Sequence, residues 1–173
     1  MVIEGAATVR NCLIRYNWSG PNYGGGMLIG TTNAHIINCT IVSNYSASAG
    51  GVSFAVCQSN TFINCIIYSN KDSNIGGYVA TKFLSFAYSC SIPTNAFFNF
   101  LDPSNKTNNP GFVNFAGENY RFNRTSPCFN TGTNQDWMTN AVDLDGHRRI
   151  LHGTADMGAY ELFIPRGAMY RFR

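Results

Sequence analysis

The sequence predicts an all-β protein: a right-handed parallel β-helix of about four coils of 25–27 residues, followed by an irregular C-terminal capping block. Three observations predict it. First, Asn38-Cys39-Thr40-Ile41-Val42-Ser43-Asn44 recurs as Asn11-Cys12-Leu13-Ile14-Arg15-Tyr16-Asn17 and as Asn64-Cys65-Ile66-Ile67-Tyr68-Ser69-Asn70, with a degenerate fourth copy at Ser89-Cys90-Ser91-Ile92. A fixed period of this size marks a repeat architecture. Second, each repeat carries short apolar runs, rich in β-branched and aromatic residues and bounded by turn formers, which read as strands. Third, no repeat holds an apolar stripe at three- and four-residue spacing, which argues against a helical solenoid.

Taken in order, residues 1–92 form the coils. Glycine pairs at Gly25-Gly26, Gly50-Gly51 and Gly76-Gly77 precede the runs Met27-Leu28-Ile29, Val52-Ser53-Phe54 and Tyr78-Val79-Ala80. Coils stacked about 4.8 Å apart place equivalent residues above one another. Cys12, Cys39, Cys65 and Cys90 then form an internal ladder beside Ile14, Ile41, Ile67 and Ile92, and Val9, Ile36 and Phe62 form another. Asn11, Asn38 and Asn64 mark a corner, because asparagine tolerates left-handed backbone and bonds its own turn. A row of thiols is not a tetrahedral cage, so the ladder reads as packing and no metal is assigned to it. Cys57 and Cys128 remain, and a disulfide between them rests on arithmetic alone.

The first residues are already deep in a coil with no capping element ahead of them. This leads to two expectations: a fragment of a longer β-helix, or self-association through the uncapped N-terminal coil. No signal peptide opens the chain, and no apolar run approaches the length of a membrane span. A net charge of +3 with scattered basic residues argues against nucleic acid as a partner. Only 12% of the 173 residues are charged, while 45% are hydrophobic, enough for a real core with many tight turns.

Residues 93–162 lose the period and read as final irregular coils and a C-terminal cap, with 163–173 as a tail. The block contains Ser126-Pro127-Cys128, Asp143-Leu144-Asp145-Gly146 and Asp156-Met157-Gly158-Ala159-Tyr160-Glu161. In that order and spacing these elements resemble the C-terminal end of bacterial right-handed β-helix repeat proteins of the choice-of-anchor Q type. The Asn-Cys coils are similar to those of the same proteins and of polymorphic outer-membrane proteins. The resemblance covers nearly the whole chain. It implies a pectin-lyase-like fold and a secreted or cell-surface protein, often of unknown activity, with some relatives in fold acting on polysaccharides.

Candidate chemistry is sparse. Asp143 and Asp145 open like a calcium loop, but His147 and Thr154 stand where further oxygen ligands belong, so the match fails and calcium is only a weak expectation. The simpler reading has both aspartates holding turns and pairing with Arg148 or Arg149 to close the last coil. A lyase or glycosidase site would have to be built from Asp143, Asp145, Asp156, Glu161, Arg148 and His147. His35 falls at a coil position held elsewhere by Thr8 and Thr61, a surface position. The four coils contain only Glu4 and Asp72 as acids, and no column stacks carboxylates. One column suits binding: Trp18, Tyr45 and Lys71 each follow the Asn that closes a repeat, giving an aromatic strip with a cation. The Asn-X-Ser/Thr triplets arise from the repeat itself and are incidental.

Three functions therefore stand. The leading one is a non-catalytic structural or adhesive segment touching polysaccharide. The others are a polysaccharide lyase or glycoside hydrolase, and an oligomeric assembly module.

Overall fold

The computed structural model describes residues 1–20, 23–30, 33–55, 59–77, 84–92, 100 and 102–165. Its first part is a parallel β-helix. The first rung is β1 (Val2–Ile3), β2 (Thr8–Arg10) and β3 (Leu13–Arg15). The second is β4 (Met27–Ile29), β5 (His35–Ile37) and β6 (Thr40–Val42). The third is β7 (Val52–Phe54), β8 (Asn60–Ile63) and β9 (Ile66–Tyr68), and the fourth β10 (Ile75–Gly77), β11 (Leu84–Ala87) and β12 (Cys90–Ile92). Corresponding strands pair in parallel across rungs, giving the sheets β1-β4-β7-β10, β2-β5-β8-β11 and β3-β6-β9-β12. Three sheets of four strands make about three full right-handed turns.

The strands are short because each rung must turn three corners in about 26 residues. Residues with left-handed backbone supply those corners: Asn11, Asn38 and Asn64 have φ of 59, 49 and 55°, values that asparagine tolerates better than most residues. In-register pairing then stacks like on like. Ile14, Ile41 and Ile67 superpose, as do Val9, Ile36, Phe62 and Phe86, and Met27, Val52 and Ile75. These columns point inward and form one core. Phe62 and Phe86 stack with centroids 4.7 Å apart, and Phe100 closes the column 5.4 Å from Phe86. Thr8, His35 and Thr61 align on the outside, where His35 bonds Thr61.

A buried amide ladder runs beside this core. Asn44 donates from Nδ2 to the carbonyls of Ile14 and Val42, while its Oδ1 accepts the Asn17 amide hydrogen. Asn70 repeats the pattern one rung on, donating to the carbonyls of Ile41 and Tyr68, and its Oδ1 accepts the Asn44 amide hydrogen. Asn74 ends the ladder, its Oδ1 accepting from Asn70.

The degenerate repeats slip relative to the sequence expectation. Cys90 pairs in register with Ile66, not Cys65, and Ser91, not Ile92, lies beside Ile67. Ser89 therefore takes the rung position below Cys65, and its Oγ accepts the Cys65 N–H at 3.0 Å. The glycine pair slips too. Gly76 and Gly77 lie inside β10 opposite Ser53 and Phe54, and Asn74 takes the place below Gly51. A side chain on Gly51 would strike the Asn74 carbonyl oxygen, 2.1 Å from its Cβ. Residues 78–80 and Cys57 lie outside the described residues, so the strand expected at Tyr78-Val79-Ala80 and the Cys57–Cys128 pair do too.

The irregular block does two jobs. Phe100 and residues 102–108 cover the far end of the stack: the Lys106 amide bonds the Ser89 carbonyl, and Asn105 bonds the Phe86 carbonyl and the Ser89 amide. The chain then turns back. The antiparallel hairpin of β13 (Phe112–Asn114) and β14 (Asn119–Phe122), a 3-10 helix at Asp136–Asn140 and residues 141–162 lie along the outer face of β3-β6-β9-β12. Every rung is touched. Asn11 donates to the Val142 carbonyl, Asn38 to that of Asp156 and Asn64 to that of Thr133. Val42 packs with Tyr120, Ala159 and Tyr160, and Ile66 and Cys90 pack with Phe122, Cys128 and Met157. This flank explains why β6 reads Thr-Ile-Val with all three residues buried.

Two tests follow from this packing. Asn44→Ala should lower stability by about 3 kcal/mol in chemical denaturation, since it orphans several buried backbone groups. Asn17→Ala, at the exposed end of the same ladder, should cost under about 1 kcal/mol. Gly158 has φ +87°, and its Cβ would meet Thr40 Oγ1 at 2.6 Å and Ile66 Cδ1 at 2.8 Å. Gly158→Ala should therefore cost more than about 2 kcal/mol and expose 141–162 to proteolysis before the coils.

Candidate functional site

Two regions gather the residues that the sequence singles out. The first is the inner seam of the flank. Arg149 is fully buried, its Nη2 2.9 Å from Glu161 Oε1. The same nitrogen donates to the carbonyls of Asp156 and Gly158. Asp156 N–H donates to both oxygens of Glu161, while the Asp156 carboxylate accepts the Asn130 and Leu162 amides. Asp143 Oδ1 accepts the amides of Asp145 and His147, and its Oδ2 accepts that of Glu161 at 2.7 Å. The expected Asp143, Asp156 and Glu161 thus do meet, but buried, with their oxygens occupied by backbone N–H groups.

The remaining members of that set are engaged differently from expectation. Asp145 pairs with the Arg121 guanidinium, not with Arg148 or Arg149, and this contact holds its carboxyl below the usual aspartate range. Arg121 in turn lies over the Tyr160 ring at 4.5 Å. His147 stacks flat on Phe163 with centroids 4.8 Å apart, and its Nδ1 is 3.6 Å from Asp143 Oδ2. Arg148 faces solvent and makes a backbone bridge to Val142. Asp143, Asp145 and His147 offer atoms within 4.8 Å of one another. The donor set does not fit calcium. Both Asp143 oxygens are already taken by amides, a guanidinium neutralises Asp145, and the third donor is a nitrogen, where calcium takes six to eight oxygens.

Burial sets the electrostatics of the seam. It pushes the Glu161 carboxyl up to about 9 against the opposing pull of Arg149, and raises Asp156 as well. The same desolvation lowers Arg149. Sequence reasoning named Arg149 only as a turn-closing partner for Asp143 or Asp145, not as the buried partner of Glu161. Its neighbour Arg148 looks identical in sequence, and the partner Glu161 is identified only by the chain's return.

Five thiols are described, and all are free. Cys12 and Cys39 contact one another and Cys39 contacts Cys65. For Cys12 the bond with Cys39 and burial push the thiol far up, and Cys39 is raised too. Cys128 meets Cys90. That contact and burial raise it. The Sγ atoms of Cys12, Cys39, Cys65 and Cys90 sit against backbone carbonyls, so all behave as small apolar fillers.

The second region is the outer corner. Trp18 and Tyr45 occupy successive rungs joined by a parallel bridge, and the Lys71 amide bonds the Asn44 carbonyl one rung further on. All three face solvent, Trp18 at 73% and Tyr45 at 40%. The flank hairpin adds what the sequence did not show. Phe115 projects beside Tyr45 and Lys71, forming a groove of about 440 Å³ with Ser43, Ser69 and Asp72. Phe115 is braced by Tyr68, Phe112 and Tyr120. Tyr120 also donates to the Tyr16 hydroxyl, a bond that pushes Tyr16 up to about 12.

The seam makes a pH prediction. Folding raises the Glu161 pKa from 4.5 to about 9, so the folded chain holds its proton more tightly. Stability should be full below about pH 4.5 as regards this group and decline as pH rises through 9. Glu161→Gln should flatten that decline in denaturant titrations. Arg149→Met should cost about 1–3 kcal/mol at neutral pH, where Glu161 is already protonated, because it strips a donor from Glu161 and from the carbonyls of Asp156 and Gly158.

No protein-family model, curated protein or solved structure matches this chain, so the functional assignment is built on the β-helix and these two regions.

Proposed function

We propose that this chain is a non-catalytic, structural or adhesive β-helix segment that contacts glycans through the Trp18–Tyr45–Lys71 corner. One observation carries the reading: aromatic faces and a cation stand exposed in register on consecutive rungs. Exposed aromatic rings in a row suit sugar faces, which present C–H groups to a π surface and hydroxyls to polar neighbours. The seam supports the non-catalytic part. Asp143, Asp156 and Glu161 are spent on backbone amides and Arg149, and Asp145 on Arg121. General acid–base hydrolysis needs two carboxyls facing a bound sugar across a cleft, and these do not.

The terminal motifs favour placement with surface or secreted β-helix proteins of the choice-of-anchor Q type. Gly158 of that block is required for close docking on Thr40 and Ile66, and Asp156 and Glu161 lock to the flank. These roles account for the motif without chemistry. No helix among the described residues is long and apolar enough to cross a membrane.

Polysaccharide affinity electrophoresis checks the reading. Wild type should be retarded by at least one glycan and release no reducing ends or unsaturated products. Trp18→Ala and Tyr45→Ala should each weaken binding about tenfold with unchanged thermal stability. Cleavage activity that disappears on Asp145→Asn or His147→Ala would sink the proposal.

A further inference from the structure

The groove at this corner is more selective than a flat aromatic strip, and its selectivity can be read from its walls and charges. We infer that it takes a single, extended, uncharged hexose chain lying parallel to the stack axis. The inference rests on the glycan-contact reading above.

The direction comes from the backbone. Trp18, Tyr45 and Lys71 belong to consecutive rungs, linked by Tyr45 N–H to the Asn17 carbonyl and Lys71 N–H to the Asn44 carbonyl, both 2.8 Å. Successive rungs advance about 4.8 Å, comparable to one residue of an extended pyranose chain. A chain along the axis therefore meets a new side chain at nearly every sugar. A chain laid across the corner meets only one.

The width comes from the flank. Tyr45, Lys71 and Phe115 line one open groove with Ser43 and Ser69, and Trp18 lines a neighbouring depression with Met1 and Tyr23. At about 440 Å³ the groove has room for one pyranose strand and not two. Phe115 packs against three aromatic neighbours, so it offers the sugar a further supported ring.

The charge comes from local balance. Lys71 is followed at once by Asp72, and both line the groove and face solvent. Arg15, at the first-rung end, is bound to Glu118 of the hairpin. The positive groups are thus offset locally, and neither end presents the unopposed cation that a uronate carboxylate requires. An adjacent ammonium and carboxylate serve neutral sugars instead, one donating to hydroxyls and the other accepting. The aromatic rings ask for a sugar face carrying axial C–H groups, which is the face of a hexose with equatorial hydroxyls.

The experiment follows the fluorescence of Trp18 in the full chain carrying Trp137→Phe, titrated with oligosaccharides of defined length. The probes are β-1,4-linked glucose oligomers, α-1,4-linked glucose oligomers and oligogalacturonate. The extended β-linked series should bind, gaining about tenfold from disaccharide to tetrasaccharide and then levelling off, with little change between low and high salt. Phe115→Ala, Lys71→Met and Asp72→Asn should each weaken the β-linked tetrasaccharide, and the coiled α-linked series should bind less well than the β-linked one. Preference for oligogalacturonate, with affinity falling as salt rises, would overturn the inference and leave the glycan-contact reading standing. Affinity independent of chain length would also overturn it. Failure of every oligosaccharide to bind would sink both.

Discussion

Parallel hydrogen bonding between consecutive rungs is the interaction on which this structure depends. Once Ile14, Ile41 and Ile67 lie in register, each residue inherits the environment of the residue a coil away. A side chain suitable at one rung must be suitable at the next, and polar groups must repeat their partners. The amide ladder of Asn17, Asn44 and Asn70 meets this condition: Asn44 and Asn70 satisfy carbonyls of their own rung and the rung before, and Asn17, on the first rung, satisfies one of its own. In the interior, where an unpaired donor or acceptor is costly, such a ladder sets the register as well as stabilising it.

The same stacking creates a problem that the flank solves. The outer face of β3-β6-β9-β12 carries Val42, Ile66 and Cys90, too apolar to face water. Residues 112–162 return along it, and their own polar backbone is satisfied by Asn11, Asn38 and Asn64 at the corner. Asn64 serves this junction twice, donating to Thr133 and accepting its amide. Within the flank, Arg149 replaces a conventional core: one guanidinium ties Glu161 and the carbonyls of Asp156 and Gly158 into a single knot. The carboxylates most suggestive of catalysis in the sequence are therefore the ones that hold the flank shut. The hairpin at the edge of this flank also supplies Phe115, so the cover on one face contributes to the lining of the groove at the next corner.

The sequence was most legible where the repeat is most regular. Cys12, Cys39 and Cys65, the inward isoleucines and the column from Val9 to Phe62 follow from period alone, because an in-register stack converts spacing into contact. Legibility failed where the repeat decays. Cys90 looks like the fourth member of the thiol row, yet Ser89 takes that position, since its hydroxyl bonds Cys65 and leaves Cys90 to face the flank. Gly76-Gly77 looks like the third glycine pair, but Asn74 ends the amide ladder and shifts the strand to Ile75–Gly77. In both cases a polar partner outweighed the resemblance of letters.

Period, apolar pattern and turn chemistry therefore determined the solenoid and the order of its columns, including the exposed row of Trp18, Tyr45 and Lys71. These are properties of neighbours one coil apart, written in the chain at constant spacing. Only the tertiary structure decided where residues 112–162 go, that Arg149 is interior while Arg148 is not, and that Phe115 lines the same groove as Tyr45. Those contacts join residues separated by tens of positions with no repeating interval. Their energy comes from covering one particular sheet face and pairing one particular buried charge, and no local pattern records either.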